Sequence, residues 1–301
     1  MQHFIVPALF DPWPDASPSL SLPALERLVA RGDQTEGPAD REAALFDLFG
    51  IPADQRAAAP ICWLGLTGEA PPGWVLRVHP VHYRADRDRL LLFPLEEGDI
   101  TAALAESCRQ RFNEHFAGEG LELKIPAPGH WFLFTPRPVE AVFVPLREAR
   151  GKNLYDSMPS GEQARFWRGL LNETQMLFHS LEAPVNGLWF EGGGRLPEPR
   201  GHRPADLEAD GDCLARGLER LATTRTQGVR LALFRQLERA RDRGDDDARL
   251  RALARLEKRI AAAMEAGEEL VLEPCDGRRW RWRPAMRRRF WRRRRPLFSK
   301  V

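Results

Sequence analysis

Between Asn172 and Arg195 the chain gathers amide side chains, a histidine, three successive glycines and an arginine. These residue types suit an anion. The run Gly192-Gly193-Gly194 leaves backbone N–H groups uncovered, and successive N–H groups form an anion-binding nest. Arg195 adds charge-assisted hydrogen bonds to a phosphate or carboxylate. The glycines follow an apolar stretch, Val185–Phe190, that reads as a strand, and ligands bind at the carboxyl edge of α/β sheets. The same glycines also suit a plain turn, since neither G-x-x-x-x-G-K-[ST] nor G-x-G-x-x-G is present. Upstream, Asn172, Gln175 and His179 share about an 80° arc of one helix face with Arg165 and Arg168. That stripe either lines a cleft or forms the solvated face. Asn186 completes this candidate ligand-binding set.

A second chemistry is cationic and aromatic. Arg279, Arg281, Arg283, Arg288, Arg292 and Arg294 interleave with Trp280, Trp282 and Trp291. Guanidinium groups beside stacking rings suit single-stranded nucleic acid or a phosphate-rich surface. Alternatively, Trp280 and Trp282 pack one face of a hairpin against a core. His79-x-x-His82 falls in a strand-like run, where residues three apart point to opposite faces. That disfavours a shared metal. Cys62, Cys108, Cys213 and Cys275 are scattered, with no redox or Cys-His-Asn spacing. G-x-S-x-G and H-E-x-x-H are absent. No complete catalytic set is legible.

The elements that must position these residues follow from periodicity. His3–Leu9 reads as a buried strand, Pro23–Arg31 and Asp40–Phe49 as helices. Trp74–Pro80, Arg89–Phe93 and Trp131–Thr135 read as strands, and Asp99–Phe116 as a helix. Ser160–Leu181 is the clearest helix, with Ser160 and Gln163 spaced as a capping box. Arg200–Asp212 reads as a polar connection. Leu214–Ala222, Val229–Arg241 and Asp246–Ala266 carry helical spacing, and Glu268–Arg283 reads as a hairpin. The order predicts a mixed α/β layer fold with a helical C-terminal extension and a terminal β-hairpin. Residues 1–200 are expected to form the α/β domain, with an inserted α+β subdomain at 70–150. Residues 201–267 form the helical extension, and 268–301 the hairpin and basic tail.

At 301 residues and 43% hydrophobic content, the chain can bury one large core or two smaller ones. Its apolar runs are too short to span a bilayer. Met1–Phe10 lacks the pattern of a signal peptide, and the sparse cysteines fit a reducing compartment, so a cytoplasmic location is expected. The net charge is +2, yet residues 276–301 alone carry +11. An acidic body with a basic tail can seek phosphates, anionic lipid or an acidic protein face.

Leu171-Asn172-Glu173-Thr174-Gln175-Met176-Leu177, followed by Pro184-Val185-Asn186-Gly187-Leu188-Trp189-Phe190-Glu191-Gly192-Gly193-Gly194, resembles a block of the RpfE-type regulatory proteins. That family is proteobacterial and is sometimes labelled phosphoglycerate mutase. Trp74–His82 with Asp86–Leu90 resembles a second block. Relatives carry a longer segment between Leu177 and Pro184 than the Ser180–Ala183 join here. The resemblance implies a degenerate scaffold like part of the cofactor-independent phosphoglycerate mutases, without their chemistry and without a cofactor. It implies a protein partner or a phosphorylated small molecule. Under the rival reading, a metal-dependent mutase, a divalent metal would sit at Asp11. That chemistry takes two metals and a hydroxyl nucleophile. Thr35 is the closest hydroxyl to Pro38–Glu42, where the nucleophile belongs, and Leu214–Ala266 holds no histidine. A third reading makes the tail a nucleic-acid-binding accessory. The sequence sets no oligomeric state.

Overall fold

The chain opens with β1 (Gln2–Ile5), whose residues are all buried. In the computed structural model, which describes residues 1–13, 20–95, 97–181, 183–294 and 296–298, β1 is followed by α1 (Pro23–Arg31), β2 (Asp33–Glu36) and α2 (Arg41–Phe49). Next come α3 (Ala58–Thr67), β3 (Trp74–Asp86), β4 (Arg89–Pro94), α4 (Ala102–His115), β5 (Glu122–Ala127) and β6 (His130–Thr135). They are followed by α5 (Leu146–Ala149), α6 (Ala164–His179) and β7 (Gly187–Gly194). The last third holds β8 (His202–Arg203), β9 (Asp206–Glu208), α7 (Cys213–Leu221), β10 (Thr224–Arg225) and β11 (Arg230–Leu233). It ends with α8 (Gln236–Asp242), α9 (Asp246–Glu265), β12 (Leu270–Glu273) and β13 (Arg278–Trp282). The expected mixed α/β class is borne out, including the C-terminal helix and terminal strands. Among the described residues no helix is long and apolar enough to cross a membrane.

The chain divides into two compact units, residues 1–52 with 199–301, and residues 53–198. This differs from the expected boundaries near 200 and 267. The reason is β1, which pairs in parallel with β11 on one side and β12 on the other. The first strand therefore belongs with the last third of the chain. Residues 53–198 lie between the two chain segments of the first unit, and the strands β12 and β13 pair into that unit's sheet.

In the first unit the sheet runs β2-β13-β12-β1-β11-β9. β9, β11, β1 and β12 are parallel, while β13 is antiparallel to both β12 and β2. Phe4, Leu25, Leu28, Leu256, Ile260, Leu272, Trp280 and Trp282 join one core. Helix starts are fixed by carboxylates. Asp40 Oδ1 accepts from the Ala43 N–H at 2.8 Å, and Asp245 Oδ1 from the Ala248 N–H at 2.8 Å, each satisfying an orphan N–H of the first turn.

The second unit is built on the 13-residue strand β3. One edge of β3 takes β6 and then β4, and the other edge takes β7, all antiparallel. Helices α4 and α6 supply Cys108, Phe112, Trp167, Leu170 and Phe178 to its core.

Several local expectations change. The Ser160–Gln163 capping box does not form, and α6 begins at Ala164. Ser160 spends its backbone N–H and C=O on Val142 instead. The predicted helix at Val229–Arg241 is split into β11 and α8, because pairing with β1 overrides the helical spacing. The Arg200–Asp212 connection contains β8 and β9. Helix α3 carries no visible helical period, because every residue from Ala58 to Leu66 is apolar or glycine.

Gly187 sits beneath the ring of Tyr83, where a Cβ would lie 2.1 Å from Tyr83 Cε2. The Tyr83 hydroxyl donates to the Leu188 carbonyl at 2.7 Å, which fixes the ring. Gly187→Ala is expected to cost about 1–3 kcal/mol of stability by overpacking. A urea denaturation midpoint equal to that of the unmodified chain would contradict this.

Candidate functional site

Parallel strands all end at the same edge, so the loops after β1, β9, β11 and β12 meet there. β2 runs in the same sense, and the start of α2 joins them. The loop after β9 brings Asp210 and Asp212, the exit of β11 brings Arg235 and Glu238, and α2 brings Arg41. Arg235 reaches Asp212 at 3.2 Å and Glu238 at 3.0 Å. Arg41 reaches the same two carboxylates, at 3.5 Å and 2.8 Å. Asp210 accepts the Arg235 N–H at 2.9 Å and faces Arg239 at 3.3 Å. Asp212 is 2% exposed, and it also caps α7 by accepting from the Ala215 N–H at 2.9 Å. Burial pushes the Glu238 carboxyl up, but Arg41 and Arg235 outweigh it and hold the group below its ordinary range.

Beside this network β12 ends on Glu273, which is buried. His3 Nε2 lies 3.4 Å from Glu273 Oε1, and Arg279 binds the same oxygen. Burial opposes ionisation of Glu273, while His3 and Arg279 prevail and lower its pKa. Cys275 lies just beyond, with a φ of 64°. Burial first, and then the neighbouring Glu273, push its thiol up, which disfavours the nucleophilic thiolate.

Asp11 follows β1 at this edge. Its carboxylate is bound by Arg241, and the Arg249 guanidinium binds the carbonyls of Asp11 and Pro12 while lying 4.1 Å over the Trp13 ring. Among the described residues no three His, Cys, Asp or Glu side chains converge as a metal-holding group. The donor set around Asp11 is cationic, so it does not fit a divalent metal.

The second unit holds a separate, half-buried ion cluster. Arg77 and His79 stand two apart on β3, so they share a face, and Glu191 on β7 pairs across from Arg77. His79 Nε2 lies 2.8 Å from Glu191 Oε1, Arg77 lies at 3.7 Å, and the Leu146 N–H donates to Glu191 Oε2 at 2.7 Å. Arg77 also donates to Cys62 Sγ at 3.0 Å. Burial raises the pKa of Glu191, but His79, Arg77 and the Leu146 amide together drive it far below the usual carboxylate range. His82 turns the other way, with Nδ1 2.8 Å from the Pro184 carbonyl.

The sequence-predicted residues fall in three settings. The triglycine is no loop but the end of β7, at a bulge where β3 places Leu76 alone between Val75↔Gly194 and Arg77↔Glu191. Gly192 takes a φ of 62°, the left-handed conformation that glycine supplies in one class of bulge. A Cβ at Gly193 would lie 2.8 Å from Leu76 and one at Gly194 2.4 Å from Ala57 Cβ. These glycines admit neighbouring protein. Asn186 clamps the backbone of Tyr83, accepting its N–H at 2.6 Å and donating to its carbonyl at 2.9 Å. Asn172, His179 and Arg195 are exposed and Gln175 is half-buried, with no hydrogen bond among the described residues joining the helix stripe to the glycines. In the tail, Trp280 and Trp282 are core residues, closing them to a stacking base, while Trp291 is exposed. Arg279 and Arg292 are engaged with Glu273 and the Gly32 carbonyl. Arg283 stands 3.9 Å from Glu269, and Arg281, Arg288 and Arg294 face solvent. The edge residues Arg41, Asp210, Asp212, Arg235 and Glu238 went unforeseen, because their meeting depends on the parallel pairing.

No known protein family is matched by the chain, and no curated protein matches it in sequence. In structure it is similar to the PH0037 protein from Pyrococcus horikoshii. The TM-score is 0.53 at 13% identity, over 94% of this chain and 87% of that one. That likeness is one of fold. A cofactor-independent phosphoglycerate mutase from Thermoplasma acidophilum matches with a TM-score of 0.38 at 14% identity, over 94% of this chain and 89% of that one, a score too low to carry a likeness.

Two outcomes follow. Asp212→Ala removes a helix cap and leaves Arg41 and Arg235 facing one carboxylate fewer, and should cost about 3 kcal/mol. Asp212→Asn keeps the cap and should cost about half as much; equal losses by urea denaturation would show that the ion pairs contribute nothing. For Glu191, the folded pKa lies below the unfolded value of about 4.3. Its contribution is therefore fully present above that value and is lost as pH falls through the folded one. Glu191→Gln should cost about 3 kcal/mol at neutral pH and flatten the fall in stability below pH of about 4. An unchanged acid limb in the variant would refute this.

Proposed function

We propose that the chain is a non-catalytic regulatory protein of the RpfE type, built on a degenerate scaffold like that of the phosphoglycerate mutases. The observation that carries this reading is the ion pair of the Asp11 carboxylate with Arg241, beside the Arg249 guanidinium on the Asp11 carbonyl. A metal ion polarises a phosphoryl oxygen and activates a bound hydroxyl. A guanidinium supplies positive charge but has no open coordination position, and it is not deprotonated in proteins. The neighbouring carboxylates Asp210, Asp212, Glu238 and Glu273 are likewise answered by arginines. In this reading the edge that would hold two metals has become a fixed ion-pair network, and it takes no cofactor.

A regulatory role needs a partner. Helix α6 displays Phe166 and Met176, which are 44% and 77% exposed. Phe166 lines a groove of about 500 Å³ with Phe116, Gly169, Glu119, Glu162 and Glu173. Arg165 also lines it, so three carboxylates and one guanidinium surround the apolar floor, a net acidic rim that suits a protein segment presenting a large apolar side chain beside basic residues.

The purified chain, incubated with 3-phosphoglycerate and manganese, is expected to form no 2-phosphoglycerate above the protein-free control, and Arg241→Ala likewise. Turnover by the unmodified chain that disappears in Asp11→Ala would sink the non-catalytic reading.

A further inference from the structure

We propose that residues 288–294 form a docking knob for an anionic lipid surface. Phe290 and Trp291 are 75% and 66% exposed. Their rings pack on each other edge to face, with centroids 5.4 Å apart and planes at 79°. Arg288, Arg293 and Arg294 flank them, exposed and without a carboxylate partner among the described residues. Together they make one compact apolar tip ringed by cations.

The knob is mounted on the fold. Met286 is buried beneath it. Arg289 binds the Asp33 carboxylate at 2.5 Å and the Arg31 carbonyl at 2.9 Å, and Arg292 donates to the Gly32 carbonyl at 3.2 Å. Arg31 donates in return to the Arg287 carbonyl at 2.7 Å. Beyond it, Phe298 meets Trp13 edge to face at 6.2 Å. The arginines thus divide into two groups: Arg289 and Arg292 face inward and hold the turn, while Arg288, Arg293 and Arg294 face outward. A turn pinned on both sides exposes its rings without the ordering cost of a loose tail.

The geometry favours a bilayer over single-stranded nucleic acid. Bases stack face to face on separate aromatic platforms along a charged track. Here the two rings are sequence neighbours locked against each other at a steep angle, so no base fits between them. Trp280 and Trp282, which could have extended a platform, are in the core. Trp and Phe at the level of lipid headgroups, with guanidinium groups reaching phosphates, match the chemistry of an anionic membrane interface.

The test is co-sedimentation of the full chain with three probes. These are phosphatidylcholine vesicles, phosphatidylcholine–phosphatidylglycerol vesicles, and a mixed-sequence single-stranded oligonucleotide as a shift assay. Binding is expected only to the anionic vesicles, weakening as salt rises. Phe290→Ala/Trp291→Ala should lower it on the order of tenfold or more. Arg293→Ala/Arg294→Ala should lower it about 25-fold, at about fivefold per cation. Both variants should melt as the unmodified chain does, since these side chains face solvent. Vesicle binding unaffected by either variant, equal binding to neutral and anionic vesicles, binding to none of the three probes, or binding to the oligonucleotide without vesicles would each overturn the proposal, the last in favour of nucleic acid.

Discussion

The parallel pairing of β1 between β11 and β12 is the constraint on which the first unit depends. Gln2 lies beside both Arg230 and Leu270, and Ile5 beside both Leu233 and Glu273. A strand of four buried residues at the centre of a sheet cannot be removed without stranding two rows of backbone donors and acceptors. It also ties the first 52 residues to the last hundred, so the intervening segment folds as a unit inserted into its host. Because parallel strands share a direction, the same pairing decides where the charges collect.

That collection of charge is the second feature to explain. Strands ending on or near Asp210, Arg235 and Glu273 force ionised groups into a partly buried edge, where an uncompensated charge is costly. The arrangement meets this by sharing. Arg41 and Arg235 each touch Asp212 and Glu238, so no carboxylate there depends on one partner. A shared network fixes geometry more than it adds net stability, since the desolvation of each ion offsets much of the attraction. The same reasoning applies to Glu191 in the other unit, whose ionised form survives burial only because His79, Arg77 and a backbone N–H converge on it.

Glycine and arginine illustrate how one residue type serves opposite ends. The triglycine of β7 lets the chain bulge and lets Ala57 and Leu76 approach closely, so its small size is used up by packing. The tail arginines differ from one another by a few positions and by fate. Arg279, Arg289 and Arg292 are bound to the fold, whereas Arg281, Arg288, Arg293 and Arg294 are left to solvent.

The sequence by itself determined what depends on neighbours along the chain. The helices α1, α2, α4 and α9, the terminal hairpin and the mixed α/β class were legible, because helical period and strand alternation are local signals, whereas the Ser160–Gln163 cap was displaced by the pairing of Ser160 with Val142. The opposed directions of His79 and His82 were legible for the same reason. Tertiary structure alone decided which strands lie side by side. Pairing energy is collected between residues more than two hundred positions apart, as for Ile5 and Glu273, and no local pattern records it. It turned an apparently helical Val229–Arg241 partly into strand, placed Trp280 and Trp282 in the core while leaving Trp291 outside, and brought Asp11 to Arg241.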